Sequence, residues 1–314
     1  MTEPVIHIGY HKTGTTWLQR QLFASAELGY RRIHLTQDGQ GLQQVHDFDF
    51  DAACWREEMA QKLERCVLDG LIPVISLERL SGNPHSGGYD SRALADRIAE
   101  VFPRARVLIV VREQRSMILS TYAQYVKAGG GCSLVRYLDS PDDSRRPGFR
   151  FEHFRYDRLI AYYQQRFSAP RVMVQAYERL RDDPEGFAES VAAFAGGKTP
   201  QPESATAVLN RSLGPLALSL LRWLNPFVNP DSLNGWSPWA LPRLNKPARI
   251  LVIGIDRLGP RALKERIAKG WRNTIELQTL GLYEESNRRS CALTGLDLAR
   301  YGYRLPASPR SHPP

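Results

Sequence analysis

Eight consecutive residues, Gly9-Tyr10-His11-Lys12-Thr13-Gly14-Thr15-Thr16, gather a cation, three threonine hydroxyls and two glycines between an apolar run and a helical pattern. That mixture suits a phosphate. Backbone N–H groups in the loop and at the helix start point one way, the helix dipole adds positive potential, and hydroxyls and an ammonium complete the donors. The plainer alternative is a strand–turn–helix with capping threonines. In the nucleotide-hydrolase loop G-x-x-x-x-G-K-[ST] the lysine follows the second glycine. Here Lys12 precedes Gly14, which asks for a phosphate-bearing ligand of another kind.

Two further segments offer chemistry. In "VLIVVREQRSMILSTYAQYV", Arg112 ends a buried apolar run and Ser120 follows on a helix, an R-x₇-S spacing. Ligands bind at the carboxyl ends of strands in open α/β sheets, and a guanidinium fork suits a terminal phosphate. Taken alone, the pair reads better as a sheet-edge arginine and a serine on a helix flank; beside the Lys12 loop the balance reverses. In "RVMVQAYERLRDDPEGF", Tyr177 could lie beside a base, while Glu178 could simply cap the turn before Pro184.

These residues need a scaffold, and the pattern supplies one. Apolar β-rich runs predict strands at Val5–Gly9, Ile72–Leu77, Arg106–Val111 and Arg171–Ala176, with a weaker one near Tyr30–Ile33. Continuous runs such as "VLIVV" suit strands covered on both faces. Helical spacing fits Thr15–Leu28, Ala52–Leu68, Ser91–Phe102, Arg115–Lys127, Glu152–Arg166 and Asp183–Phe194. The alternation predicts an α/β fold, a P-loop-like doubly wound parallel sheet of about five strands flanked by helices. Residues 1–196 form its core, within one domain spanning residues 1–314. "AGGGCSLVRYLDSPDDSRRPGF" (Ala128–Phe149) reads as a mobile surface loop. After Gly196, "GGKTPQPESAT" reads as a connector to a mainly helical extension over residues 197–303. That extension holds a short helix at Pro215–Trp223, turn-rich sequence around "NPFVNPDSLNGWSPWALPRLNKPAR", and a helical segment from Pro260 to Arg289. Residues 304–314 read as a disordered tail.

Composition narrows the partners. The chain has 314 residues and a formal charge of +9, which favours anionic ligands. Its basic residues are scattered, so nucleic acid is not an expected partner. Cys54, Cys66, Cys132 and Cys291 lie far apart with no C-x-x-C pair, which suggests reduced thiols, no zinc site and a cytoplasmic location. No signal peptide and no membrane-spanning run is expected.

Together the motifs resemble those of sulfotransferases that use 3′-phosphoadenosine 5′-phosphosulfate (PAPS). G-Y-H-K-T-G-T-T-W-L resembles their 5′-phosphosulfate loop, and R-x₇-S their 3′-phosphate motif. Y-E-R-L-R-D-D-P is similar to their Y-E-D-L-x-x-D-P segment. The resemblance implies that Lys12, Thr13, Gly14, Thr15 and Thr16 bind the phosphosulfate, with His11 in the same loop and Trp17 abutting the nucleotide. Arg112 and Ser120 would hold the 3′-phosphate, and Tyr177 would contact the adenine. Cytosolic members end with R-K-G-x-x-G-D-W-K, which this chain lacks. Lys269-Gly270-Trp271 is at best a fragment, and Arg288 or Arg289 would supply the last basic contact.

The same resemblance implies in-line transfer of the sulfuryl group to an acceptor hydroxyl or amine, with PAP released and no metal required. Lys12 would stabilise charge growing on the leaving phosphate. In "VISLERLSGNPHSGG", Glu78 stands where the carbohydrate-modifying branch has its acidic base. His85 competes, since members acting on phenols and steroids use a histidine, and Glu78 could instead pair with Arg79. His11 would shape the loop or meet the acceptor. A glycan, a glycolipid or a small hydroxylated metabolite is the expected acceptor. Trp223, Phe227, Trp236 and Trp239 would form either its wall or a packing interface. Two rivals stand beside this reading. One is a nucleotide kinase or hydrolase, for which "RILVIGID" (Arg249–Asp256) would supply a carboxylate after an apolar run, although that run reads better as core packing. The other is a regulator that binds PAPS or PAP without transfer.

Overall fold

The strand β6 (Arg106–Val111) shows why the chain folds as layers. Val107, Ile109 and Val111 join one apolar cluster, while Leu108 and Val110 join a second on the opposite face. A strand apolar on both faces must be covered on both. The computed structural model describes residues 3–37, 39–140, 147–198, 213–228, 241 and 244–307. In it, β1 (Val5–His7), β2 (Tyr30–Arg32), β5 (Ile72–Ser76), β6 and β7 (Val172–Ala176) form one parallel sheet in the order β2-β5-β1-β6-β7. Two short strands, β3 (Thr36–Gln37) and β4 (Gln40–Gly41), pair separately as an antiparallel ribbon.

Helices cover both faces. One face packs α2 (Ala52–Leu68), α3 (Ser91–Val101), α4 (Gln114–Lys127) and α6 (Tyr156–Phe167) through Trp55, Met59, Ile98, Met117 and Ile160. The other packs α1 (Thr15–Trp17), which continues as a π turn through Leu22, and α8 (Pro184–Ala195), through Trp17, Leu18, Leu22, Phe187 and Val191. Fully burying each large apolar side chain contributes roughly 1.5–3 kcal/mol. Between β7 and α8 runs the short α7 (Tyr177–Asp182). C-terminal helices follow: α9 (Pro215–Val228), α10 (Asn245–Leu258), α11 (Arg261–Gln278) and α12 (Glu284–Thr294). Leu218, Val252, Ile275 and Tyr283 from this region join the first-face cluster.

The strand order fixes where a ligand goes. From β1 the chain moves outward to β2 and returns to β5, beside β1. It then crosses to β6 on the other side of β1. The direction of winding reverses between β1 and β6, and the crevice outside their carboxyl ends is the expected binding site. His7 pairs in register with Ser76 and Leu108. The loops after β1, β5 and β6 therefore leave the sheet side by side.

Several expectations change. All five predicted strands are present, but the first helix stops at the π turn instead of reaching Leu28. The stretch 128–149 is no continuous surface loop. Leu134–Leu138 forms α5, and Leu134, Tyr137, Leu138 and Phe149 are buried in the main core; residues 141–146 lie outside the described residues. The helix begun at Pro215 runs on to Val228, with Pro226 inside it. "RILVIGID" is helical within α10, not core packing: Val252 is buried, but Ile250, Leu251 and Ile255 are exposed. Trp223 and Phe227 are exposed. Trp236, Trp239, the connector beyond residue 198 and the tail beyond residue 307 lie outside the described residues. Among the described residues no helix is long and apolar enough to cross a membrane.

Candidate active site

The loop after β1 stays on the sheet before it turns. Ile8 and Tyr10 donate their N–H groups to Leu108 and Val110 carbonyls, at 3.0 and 3.2 Å. Lys12 then takes a left-handed φ of 67°, and Gly14 one of 84°, so two reversals fold the backbone into a concave nest. Glycine is required at 14 on a second count, because a Cβ there would run into Leu180 Cδ2. The buried Thr13 hydroxyl donates to the Tyr10 carbonyl at 2.5 Å and so holds the loop itself. By contrast, the N–H groups of Gly14, Thr15 and Thr16 find no backbone acceptor among the described residues, while the buried Thr15 hydroxyl faces the Glu78 carboxyl and favours its charged form. Amide donors of this kind fit an anion. Beneath the nest, His7 is fully buried and its Nδ1 lies 2.8 Å from Ser76 Oγ, while Gln19 Nε2 donates to the Ser76 carbonyl at 2.9 Å. Burial drives the His7 imidazole down to about 3, so it stays neutral and structural.

Arg112 follows the last residue of β6. Its Nη1 donates to the Lys12 carbonyl at 3.1 Å and its Nε to Ser116 Oγ at 3.0 Å. The guanidinium also lies over the Tyr177 ring, 4.9 Å from its centre. The Tyr156 hydroxyl donates to the Arg112 carbonyl at 2.6 Å. Glu178, whose sequence suggested a turn cap, is 4% exposed and does more. It accepts the Glu113 N–H at 2.9 Å and the Tyr303 hydroxyl at 3.3 Å, tying α7 to the loop after β6. Burial raises its carboxyl pKa, against the pull of backbone N–H groups and Arg112.

Glu78 opens a 3₁₀ turn just beyond β5, at the third corner of the crevice. Its Oε2 lies 3.4 Å from His11 Nδ1. Burial holds the Glu78 carboxyl above the usual carboxylate range, with the Thr15 hydroxyl and the Lys12 charge pulling it back. His11 is driven to about 3 by burial first, then by His85, His153, Arg79 and Lys12. Its contact with Glu78 is therefore between a neutral ring and a carboxyl group, not an ion pair at neutral pH. Arg79 is committed to Asp90, so it does not neutralise Glu78. His85 Nδ1 sits 2.9 Å from the Tyr137 hydroxyl, and burial holds its ring at about 4.

A family model described as "Sulfotransferase family" matches residues 4–201, the whole span that carries this crevice. The chain belongs to the sulfotransferase family. Three solved structures are similar at a low level. A sulfotransferase from Alicyclobacillus acidocaldarius shares 17% identity over 71% of this chain and 95% of its own, with a TM-score of 0.44. A sulfotransferase domain from the curacin biosynthetic pathway shares 15% over 98% and 99%, with 0.45. A sulfotransferase domain from the Synechococcus PCC 7002 olefin synthase shares 14% over 81% and 95%, with 0.39. No curated protein matches the chain.

In this sulfotransferase the crevice brings together His11, Lys12, Thr15, Arg112, Tyr177 and, on its far side, Glu78. Trp17 is buried below it against Phe187. Ser120 is half-buried one helical turn beyond Ser116, and Arg112 meets Ser116 instead. Arg288 lies on the exposed face of α12, gripped by Glu285 at 2.8 and 2.7 Å, and is not joined to Arg112. Lys127 was missed. Ser116, Ser120, Gln124 and Lys127 recur at helical spacing on α4, and Gln124 Oε1 is buried without a hydrogen-bond partner among the described residues. Burial, then Lys12 and Arg249, depress the Lys127 amine, so its charge lies close to that of Lys12. Only the helical period of α4 could have signalled it.

Proposed function

We propose that this sulfotransferase takes its sulfuryl group from PAPS and passes it to a hydroxyl or amine of an acceptor, a carbohydrate or glycoconjugate. The observation that carries the reading is the meeting of Arg112 with the Lys12 loop at the switch point of the sheet. One ligand with two phosphorylated ends is what two such adjoining cation sites suit. The nest at Lys12–Thr16, whose Gly14, Thr15 and Thr16 amides find no backbone acceptor among the described residues, fits the phosphosulfate end. Arg112, with Ser116, Ser120 and Lys127 along α4, fits the 3′-phosphate, and Tyr177 the base. The donor, when bound, supplies an activated sulfuryl group whose departure leaves PAP. Lys12 stabilises charge on the leaving phosphate. Glu78, made more basic than an ordinary carboxylate by its burial, takes the acceptor's proton, and His11 orients it. A cytoplasmic setting belongs to the same proposal and rests on the dispersed cysteines.

The kinase reading fares worse. It needs a lysine after Gly14 and a carboxylate ending a buried strand; β6 is followed by Arg112. Asp256, the other candidate, lies on α10 and accepts the Ala217 N–H at 3.0 Å. The deciding experiment incubates the protein with radiolabelled PAPS and separate glycan, lipid and small-metabolite fractions. Label entering the glycan fraction is expected. PAP binding without label in any fraction would favour a regulator, and failure to bind PAP would overturn the donor assignment.

A further inference from the structure

A cavity of about 320 Å³ opens between α3 and α6, behind Tyr10 and His153; Lys12, Arg112 and Glu78 are not among its lining residues. Its walls carry three guanidiniums, Arg92, Arg155 and Arg158, against one carboxylate, Glu152. Arg155 and Arg158 have no carboxylate partner among the described residues, and Arg92 lies 4.0 Å from Asp96 and against Tyr162, over its ring and beside its hydroxyl. Two buried nitrogens of lining residues have no hydrogen-bond partner among the described residues: Nε2 of His153, a residue 7% exposed, and Nε of Arg155. Buried polar groups left unsatisfied in this way are costly to the fold. Leu159 and the rings of Tyr10 and Tyr162 supply an apolar floor beside them.

We propose that this cavity is a second anion site, which takes the carboxylate or phosphate of a small organic acid. Arg155 and Arg158 hold the charged group, with the Arg92 guanidinium nearby, and Leu159, Tyr10 and Tyr162 receive its apolar body. Excess positive charge beside an apolar floor in one open cavity is what such a ligand requires. The site is independent of the donor assignment. Its inner wall is Tyr10 against His153, with ring centres 5.0 Å apart, and Lys12, Arg112 and Glu78 do not line it.

The test is calorimetric titration of the whole protein with benzoate, phenyl phosphate and the neutral benzyl alcohol, each with and without saturating PAP. Benzoate or phenyl phosphate, or both, should bind in the millimolar range whether or not PAP is present, and the preferred anion names the ligand class. Benzyl alcohol should not bind. Arg155→Gln and Arg158→Gln should each weaken the anion about tenfold. Arg158 is exposed, so its variant keeps the test open if Arg155→Gln misfolds. Failure of both anions to bind, equal binding of the alcohol, displacement by PAP, or unchanged binding in a folded Arg158→Gln would overturn the proposal. Failure of PAP alone to bind would count against the donor assignment and leave this site standing.

Discussion

Arg112 and Lys12 lie a hundred residues apart, yet the Arg112 guanidinium donates to the Lys12 carbonyl at 3.1 Å. The bond joins the loops that leave β1 and β6, the two strands between which the sheet reverses its winding. The Lys12 backbone is thereby held, while its side chain is exposed. Glu178, on α7, braces the arrangement by holding Glu113, the residue after Arg112. The crevice is thus preorganised by backbone contacts before any ligand enters.

Arg112→Ala removes the bonds to the Lys12 carbonyl and Ser116 and the contact with Tyr177. PAP affinity measured by calorimetry should fall about 10- to 100-fold, as expected for one or two charge-assisted bonds. Arg112→Lys should not restore it, since an ammonium cannot bridge loop, helix and ring as a planar fork does. Wild-type affinity in Arg112→Lys would show that charge alone matters there.

Gly14→Ala forces a side chain onto a φ of 84° and into Leu180. The left-handed conformation alone costs an alanine roughly 1–2 kcal/mol. The thermal midpoint should drop by several degrees, and PAP binding should be lost because the nest cannot close. Gly281→Ala, also left-handed but with open space around the added carbon, should lower stability without touching PAP affinity. Equal PAP affinity in the two variants would refute the nest.

Continuous apolar runs such as Val107–Val111 made the parallel sheet legible, because a strand buried on both faces has no polar alternation to hide it. The tight reversal after β1 was legible too, from Gly14 and its hydroxyl neighbours. Other features were not. Glycine and proline around residues 128–149 masked Tyr137 and Phe149, which pack into the core whatever their neighbours. The run at 249–256 is short and apolar, and periodicity cannot tell a strand from a helix there. R-x₇-S placed Ser120 on α4 but could not reveal that Arg112 bends back to Ser116. Glu178 looked like a turn residue because its partners, Glu113 and Tyr303, are distant in sequence.

Lys127 should prove to be part of the donor site. Its amine is depressed by burial and by Lys12 and Arg249, so an anion between the two lysines relieves their repulsion. Lys127→Met should weaken PAP about tenfold. With its pKa lowered, Lys127 should also be acylated faster than exposed lysines near neutral pH, and PAP should protect it, as read by peptide mass mapping. Acylation of Lys127 at the same rate with PAP bound would remove it from the site.

Glu78 carries the sharpest pH prediction. Burial raises its folded-state pKa above the ordinary 4.5, so the acid limb of kcat/KM should lie above that value. Its stability consequence has a definite sign. A carboxyl whose pKa is raised by folding contributes stability below its unfolded pKa, and loses it as pH rises through the folded one. At neutral pH the charged Glu78 is therefore a cost, because His11 is neutral and cannot compensate. Glu78→Gln should lower the transfer rate about 10²- to 10⁴-fold while PAP affinity stays within a few-fold. Its thermal midpoint should match or exceed wild type at neutral pH, and that advantage should vanish as pH falls towards the ordinary carboxylate range. A Glu78→Gln protein that transfers sulfate at the wild-type rate would shift the base to another group, with His85, held at about 4 beside Tyr137, as the next residue to replace.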